Sequence, residues 1–254
     1  MRLTATLLAL FVCFVPFAAD ASVPAYISAA IADPARPTAQ VARDVSRKPG
    51  EVISFAGLKP GDQVADFMPA SGYFTRLFSR VVGAKGRVYA FTPVEELKNC
   101  SAAETAGIRA MAHDSRYRNV SYAMGQIETF VPPMPLDMVW TSLNYHDLHD
   151  KFLGPANVEI FNQEVFAALK PGGVYLVIDH AAEAGSGLRD TERLHRIDPE
   201  TIKKEVEDAG FVFEGESDVL RNPADDHTAV SFNPIIKGHT DQVVLKFRKP
   251  RNAQ

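Results

Sequence analysis

Histidine and carboxylate residues gather in two groups along this chain, and either could do proton or ligand chemistry. The first is one unbroken run, Asn144-Tyr145-His146-Asp147-Leu148-His149. Histidine titrates within the working pH range, so His146 or His149 could serve as a general base. The same run also reads as a polar loop that caps a following helix, its rings bonded to backbone. The second group is dispersed: Asp179-His180, His195 with Asp198, and Asp225-Asp226-His227. Three imidazoles and several carboxylates converging from different elements would suit an acid–base pair or a metal. No spacing among them is a recognised ligand motif, so no residue is assigned to a metal here. Asp198 precedes Pro199 and has a simpler role as a helix cap.

A third stretch offers backbone chemistry. Val64 to Val82 reads VADFMPASGYFTRLFSRVV. An apolar strand ends near Asp66-Phe67 and a small-residue turn spans Pro69 to Gly72. Tyr73, Phe74, Leu77, Phe78, Val81 and Val82 then recur at helical spacing. Strand, turn and helix make the first half of a βαβ unit. Its turn lets a ligand approach the backbone, and the helix start favours an anion. A tight turn that merely packs well has the same pattern.

The elements that must position these residues alternate along the rest of the chain. Pro49 opens a helix through Val52, Ile53 and Phe55 that stops at Gly57. Strands are predicted at Arg87–Phe91, Asn119–Met124, Leu136–Thr141 and Val174–Ile178. Helices are predicted at Glu95–Ala112, with a weak point near Gly107, and across Val158–Leu169. Lys170-Pro171-Gly172-Gly173 ends the second of these. Asp198-Pro199 starts a helix through Ile202 and Val206, and Phe211–Glu214 with Gln242–Phe247 form a closing pair of strands. This rhythm predicts an α/β fold: a doubly wound, mostly parallel seven-stranded sheet with an antiparallel edge hairpin. Leu220 to His239 reads as an irregular connection or a lid over the pocket.

Composition sets the outer bounds. The chain has 254 residues, 46% hydrophobic and 23% charged, with a net charge of −4, enough for one sizeable core and without the basic excess that nucleic acid would require. Met1-Arg2, the apolar run Leu7 to Phe17 and Ala19-Asp20-Ala21 make residues 1–21 a secretory signal peptide. The expected product is exported, with the periplasm as the reading for a bacterial signal of this kind, and has no stable membrane anchor after cleavage. Residues 22–50 form an N-terminal arm and residues 51–254 the main domain. Cys100 is the single thiol after the signal segment, so no intrachain disulfide is available there.

With these motifs in view, the chain resembles the class I S-adenosylmethionine-dependent methyltransferase fold from about Val52 to Lys249. The resemblance is carried by Leu58-Lys59-Pro60-Gly61-Asp62, VADFMPASGYFT, GRVYAFTP, LDMVWTSLNYHDLH and Leu169-Lys170-Pro171-Gly172-Gly173. More narrowly, Arg47-Lys48-Pro49, MPASGYFTRLFS, Asp179-His180, His195-Arg196-Ile197-Asp198 and RNPADDHT are similar to a group of exported bacterial proteins described as predicted methyltransferases. The resemblance implies a Rossmann-like, methyltransferase-type sheet and S-adenosylmethionine as cofactor. It implies Asp66, Met68, Ser71 and Gly72 at the methionine end, Thr92 or Glu95 at the ribose, Gln126 at the adenine and Asn144 beside the donor. It makes Tyr145, His146 and His149 the catalytic candidates, with His146 or His149 as base on an acceptor hydroxyl and Tyr145 near the sulfonium. Met68 and Ala70 stand where such turns carry glycine, Thr92 where the second strand carries an acid, and Gln126 where the third does. The expected activity is methyl transfer to a small-molecule acceptor. The alternative is a non-catalytic ligand-binding protein on the same fold.

Overall fold

A computed structural model describes residues 22–252 apart from Pro155. The expected signal peptide, residues 1–21, lies outside the described residues. The arm comprises three short helices, α1 (Ala25–Ile31), α2 (Thr38–Val41) and α3 (Asp44–Arg47), and leads into α4 (Pro49–Ala56). Proline opens α4 and Gly57, at φ +80°, closes it. Then follow β1 (Gln63–Phe67), α5 (Tyr73–Val82), β2 (Arg87–Pro93), α6 (Val94–Leu97), α7 (Ala102–Ala112), β3 (Val120–Gly125) and β4 (Leu136–Ser142). A short 3-10 turn at His146–His149 precedes α8 (Val158–Ala168), β5 (Leu169–His180), α9 (Thr191–Leu194), α10 (Pro199–Asp208), β6 (Val212–Ser217) and β7 (Gln242–Arg248).

The seven strands form one sheet in the order β3-β2-β1-β4-β5-β7-β6. The first five are parallel, and β7 runs antiparallel between β5 and β6. Buried apolar residues cover both faces. Val52, Leu77, Phe78 and Trp140 lie on one side, and Phe67, Phe161, Tyr175 and Ile202 on the other. The predicted doubly wound sheet with its antiparallel edge pair is therefore present. Central strands buried on both faces read as unbroken apolar runs, which is why they were visible in the sequence.

Two local expectations change. The helix predicted over Glu95–Ala112 is two helices, and its break falls at residues 98–101 rather than at Gly107. Ser101 and Glu104 form a capping box that starts α7. Gly107 stays helical because its bare Cα packs on the turn after β1: a Cβ there would stand 3.0 Å from the Ser71 carbonyl oxygen. The fifth strand also begins earlier than predicted, at Leu169 directly after α8: Leu169 pairs with Leu136, Lys170 to Gly173 break the register with β4, Gly172 taking φ +82°, and Gly172 and Gly173 bond Lys249 just past β7.

The arm caps the carboxyl ends of the strands. Arg36 pairs with Asp44 at 2.6 Å, and Tyr73 of α5 donates to the same carboxylate at 2.6 Å. Arg47 stacks over the Tyr73 ring at 4.7 Å, and Gln40 Nε2 donates to the Ser71 carbonyl at 3.3 Å.

Candidate functional site

The turn after β1 keeps a backbone shape that glycine would ordinarily supply. Met68, Ala70 and Gly72 all take left-handed φ values, +53°, +47° and +77°. For two residues with a Cβ, that geometry costs about 1–3 kcal/mol each. The surrounding structure holds it in place. The Met68 N–H donates to the Phe91 carbonyl at 2.9 Å, and the Gly72 N–H to the Pro69 carbonyl at 2.8 Å. The Met68 side chain is packed away into the core, whereas Ala70 is exposed. Gly72 has no spare room, since a Cβ there would meet the Met111 methyl of α7 at 2.7 Å.

Asp66, at the end of β1, is buried and accepts from Thr75 Oγ1 at 2.5 Å. Burial pushes its carboxyl up to about 7 despite that bond. On the flanking strands, polar atoms are left over. Thr92 is fully buried and its Oγ1 has no partner among the described residues. Asn144 spends its amide N–H groups on the Phe67 and Met68 carbonyls, at 3.1 and 3.4 Å, while its Oδ1 has no partner among the described residues.

Glu95 and Glu96 separate in role. Glu95 Oε2 accepts the Ile127 N–H at 3.2 Å and so ties β2 to the end of β3. Glu96 is 5% exposed with Oε2 unpartnered, and burial pushes its carboxyl up to about 7. The unsatisfied acid is thus the neighbour of the residue named from sequence. Helix α6 turns the two carboxylates in different directions, and no sequence signal separates them. Gln126 is exposed at the end of β3, and Ser71 offers its carbonyl to Gln40 and to Arg76.

The run after β4 divides as well. Tyr145 is fully buried, donates to Glu205 Oε2 at 3.0 Å and accepts from Asn162 at 2.8 Å. His149 Nε2 lies 3.2 Å from the same Glu205 oxygen. Both therefore fasten the 3-10 turn to α8 and α10. This corrects their expected positions, Tyr145 near a sulfonium and His149 as base: the turn's pitch points them back into the domain.

His146 faces the other way. Asp179 Oδ2 accepts its backbone N–H and Oδ1 meets its ring Nδ1, each at 2.8 Å. Ring Nε2 lies 3.2 Å from Asp147 Oδ1 and 3.3 Å from His195 Nδ1. Burial opposes charge on this ring, but the Asp179 and Asp147 carboxylates outweigh it and hold its pKa well above the usual value. Both ring nitrogens are engaged inside the domain, Nδ1 by Asp179 and Nε2 by Asp147 and His195, so His146 is not free to act as the expected base on an acceptor. His195 reaches this place because Ile197 makes a parallel bridge to Ala181, just beyond the end of β5. Its left-handed φ of +50° ends α9 beside the 3-10 turn.

The other dispersed residues go elsewhere. His180 Nδ1 meets Thr240 Oγ1 at 2.7 Å, and burial pulls its pKa down to about 4, leaving a neutral ring. His227 pairs with Asp241 at 3.0 Å, and Asp225 holds the buried Arg196 at 2.9 Å. Asp198 caps α10, accepting from the Glu200 N–H at 3.1 Å. A cleft of about 650 Å³ opens under the arm, lined by Arg43, Arg47, His180, Phe232, Lys237 and His239 among others.

The strand order, the antiparallel seventh strand and the turn after β1 define the class I methyltransferase fold, as the sequence resemblance implied. No family model matches the chain. The chain is 24% identical over 189 residues to the ubiquinone/menaquinone biosynthesis C-methyltransferase UbiE of Hydrogenovibrio crunogenus, spanning 63% of this chain and 69% of that protein. Among solved structures, a SAM-dependent methyltransferase from Aquifex aeolicus superposes with a TM-score of 0.55 at 17% identity, over 82% of this chain and 98% of that one. An S-adenosylmethionine-dependent methyltransferase from Mesorhizobium loti gives 0.56 at 16% identity, over 81% and 99%. These likenesses establish the fold.

Proposed function

We propose that the protein is an exported S-adenosylmethionine-dependent methyltransferase acting on a small-molecule acceptor. The observation that carries this reading is the set of unsatisfied buried atoms around the β1 turn. Thr92 Oγ1, Asn144 Oδ1 and Glu96 Oε2 lack partners among the described residues. A buried polar atom without a partner costs about 1–3 kcal/mol. Together with the strain held at Met68 and Ala70, this marks a place shaped for a polar ligand. These residues fit an adenosyl donor. Thr92 and Glu96 would meet ribose hydroxyls, the 68–72 backbone and Asp66 the methionine end, and Gln126 the base.

A bound sulfonium donor supplies an already activated methyl group. What remains for this chain is alignment and exclusion of water. The arm covers the strand ends, and the cleft beneath it presents Arg43, Arg47 and Lys237 with no carboxylate among the described residues that line it. That charge balance suits an acceptor carrying an anionic group. His180, neutral and at the cleft wall, can accept a hydrogen bond from an acceptor hydroxyl. Export rests on the composition of residues 1–21. The weak likeness to a C-methyltransferase supports methyl transfer without naming the acceptor.

A second reading, a ligand-binding protein without methyl transfer, is favoured by the Met111 methyl crowded beneath Gly72 and by side chains at Met68 and Ala70. Calorimetric titration with S-adenosylmethionine and S-adenosylhomocysteine tests the donor site that both readings share. Micromolar binding that weakens in Thr92→Val supports it. A folded sample that takes up neither ligand at millimolar concentration refutes it. Turnover in the presence of anionic acceptors then separates enzyme from binder.

A further inference from the structure

His146, Asp147, Asp150 and His195 bring one ligand atom each to within 4.8 Å of one another. In a tetrahedral zinc site with bonds of about 2.0–2.1 Å, neighbouring donor atoms stand about 3.3–3.5 Å apart. The observed separations approach this. They are 3.2 Å from His146 Nε2 to Asp147 Oδ1, 3.3 Å from His146 Nε2 to His195 Nδ1, 3.7 Å from His195 Nδ1 to Asp147 Oδ1, and 4.0 Å from His195 Nδ1 to Asp150 Oδ2. The remaining separations lie within 4.8 Å, so side-chain movement closes the set around an ion.

A second observation points to a ligand here. The Asp150 side chain is 2% exposed, and neither of its carboxylate oxygens makes a well-formed hydrogen bond among the described residues, although the Thr191 side chain lies beside it. No Lys or Arg pairs with Asp147 or Asp150 among the described residues; the ion pairs of both are with histidines. A buried carboxylate whose one charged partner among the described residues is a histidine 4.0 Å away is costly, and coordination to a cation is one of the few arrangements that retain it. A third observation is the support behind His146. Asp179, fully buried, takes the ring Nδ1 at 2.8 Å and also the His146 backbone N–H at 2.8 Å. That fixes the tautomer, leaving the Nε2 lone pair aimed at the other three groups. A carboxylate behind a histidine is the usual outer support of a metal-bound imidazole.

We propose that His146 Nε2, His195 Nδ1, Asp147 and Asp150 form a binding site for a divalent transition metal of the zinc class, with Asp179 as the positioning residue for His146. Two imidazoles and two carboxylates favour zinc, cobalt, iron or manganese over calcium or magnesium, which prefer all-oxygen sites. The His195 side chain is 32% exposed and gives an ion its path from solvent. Through Phe232, 5.1 Å from the His195 ring, and through His180, 6.1 Å from the His146 ring, the centre borders the acceptor cleft. Its ligands are separate from Thr92, Asn144 and the 68–72 turn, so metal binding and donor binding succeed or fail independently.

The test uses purified protein stripped with a chelator, then titrated with Zn²⁺ against a chromophoric competitor and with Co²⁺ followed by visible absorption. One equivalent of metal is expected, with the intense visible bands of four-coordinate cobalt. Asp150→Asn, which keeps the side-chain shape, and His195→Gln, at a part-exposed position, are each expected to weaken binding at least tenfold while circular dichroism shows the fold intact. Asp179→Asn keeps all four ligands and is expected to weaken binding about 10- to 100-fold. Absence of stoichiometric binding by folded wild-type protein overturns the proposal. So does binding that stays within twofold of wild type in both Asp150→Asn and His195→Gln, which would place the ion elsewhere.

Discussion

Thr92→Val separates stability from donor binding by moving them in opposite directions. Thr92 sits at the carboxyl end of β2, fully buried, with an unpartnered hydroxyl. Valine has nearly the same shape, so the packing around Cβ survives and only the oxygen is lost. Removing a buried polar atom that makes no hydrogen bond recovers its desolvation cost, about 1–3 kcal/mol. At the low end of that range, a domain of this size gains about 2–4 °C in melting temperature. The same oxygen is proposed to meet a ribose hydroxyl. Losing one such hydrogen bond costs about 1 kcal/mol, so S-adenosylhomocysteine should bind about fivefold to tenfold more weakly. Differential scanning calorimetry without ligand and isothermal titration with it measure the two effects. A destabilised variant with unchanged affinity would refute the reasoning on both counts, since the hydroxyl would then have a partner in the free protein and none in the ligand.

Three other perturbations have worked signs. Asp66 has its pKa raised from 3.8 to about 7 by burial, so the native state holds a proton that the unfolded chain releases. Its contribution is fully present below about pH 4 and is lost as the pH rises through about 7, at most about 4 kcal/mol. Asp66→Asn should flatten that slope in urea unfolding measured from pH 4 to pH 8, and an unchanged slope would show that Asp66 is not its source. Tyr145→Phe strands Asn162 and removes a partner of Glu205, and should cost about 1–3 kcal/mol while leaving donor affinity unaltered. Arg196 is fully buried, paired with Asp225 and bonded to the Ala181 and Ala229 carbonyls. Arg196→Met leaves that carboxylate without its cation and should cost about 3–5 kcal/mol in thermal unfolding, whereas a loss under 1 kcal/mol would show that Asp225 finds other support.

Strands, helix starts and turns were legible in the sequence because each depends on neighbours in the chain. The β1 apolar run, Pro49 at a helix start and Asp198 as a cap are local matters of periodicity and backbone freedom. The α6–α7 break was misplaced because Gly107 reads locally as a weak point, while its actual duty is to let α7 lie against Ser71.

The β1 turn is an intermediate case. Its position, with Asp66 before it and Gly72 within it, was apparent from residue order. Only the folded backbone shows that Met68 and Ala70 are forced into left-handed conformations. The roles of the histidines were decided by tertiary structure alone. A run such as Tyr145 to His149 does not say which side chains face α10 and which face β5. A 3-10 turn of that pitch sends Tyr145 and His149 to Glu205 and sends His146 to Asp179.

His195 lies 49 residues from His146 and reaches it only because β4 pairs with β5 and Ile197 bridges to Ala181 beyond the end of β5. By itself the sequence determined the doubly wound sheet and the ends of the strands where polar groups would collect. Which of those groups meet, and which lose their charge or their partners, was set by strand pairing and burial, which join residues that chain order keeps apart.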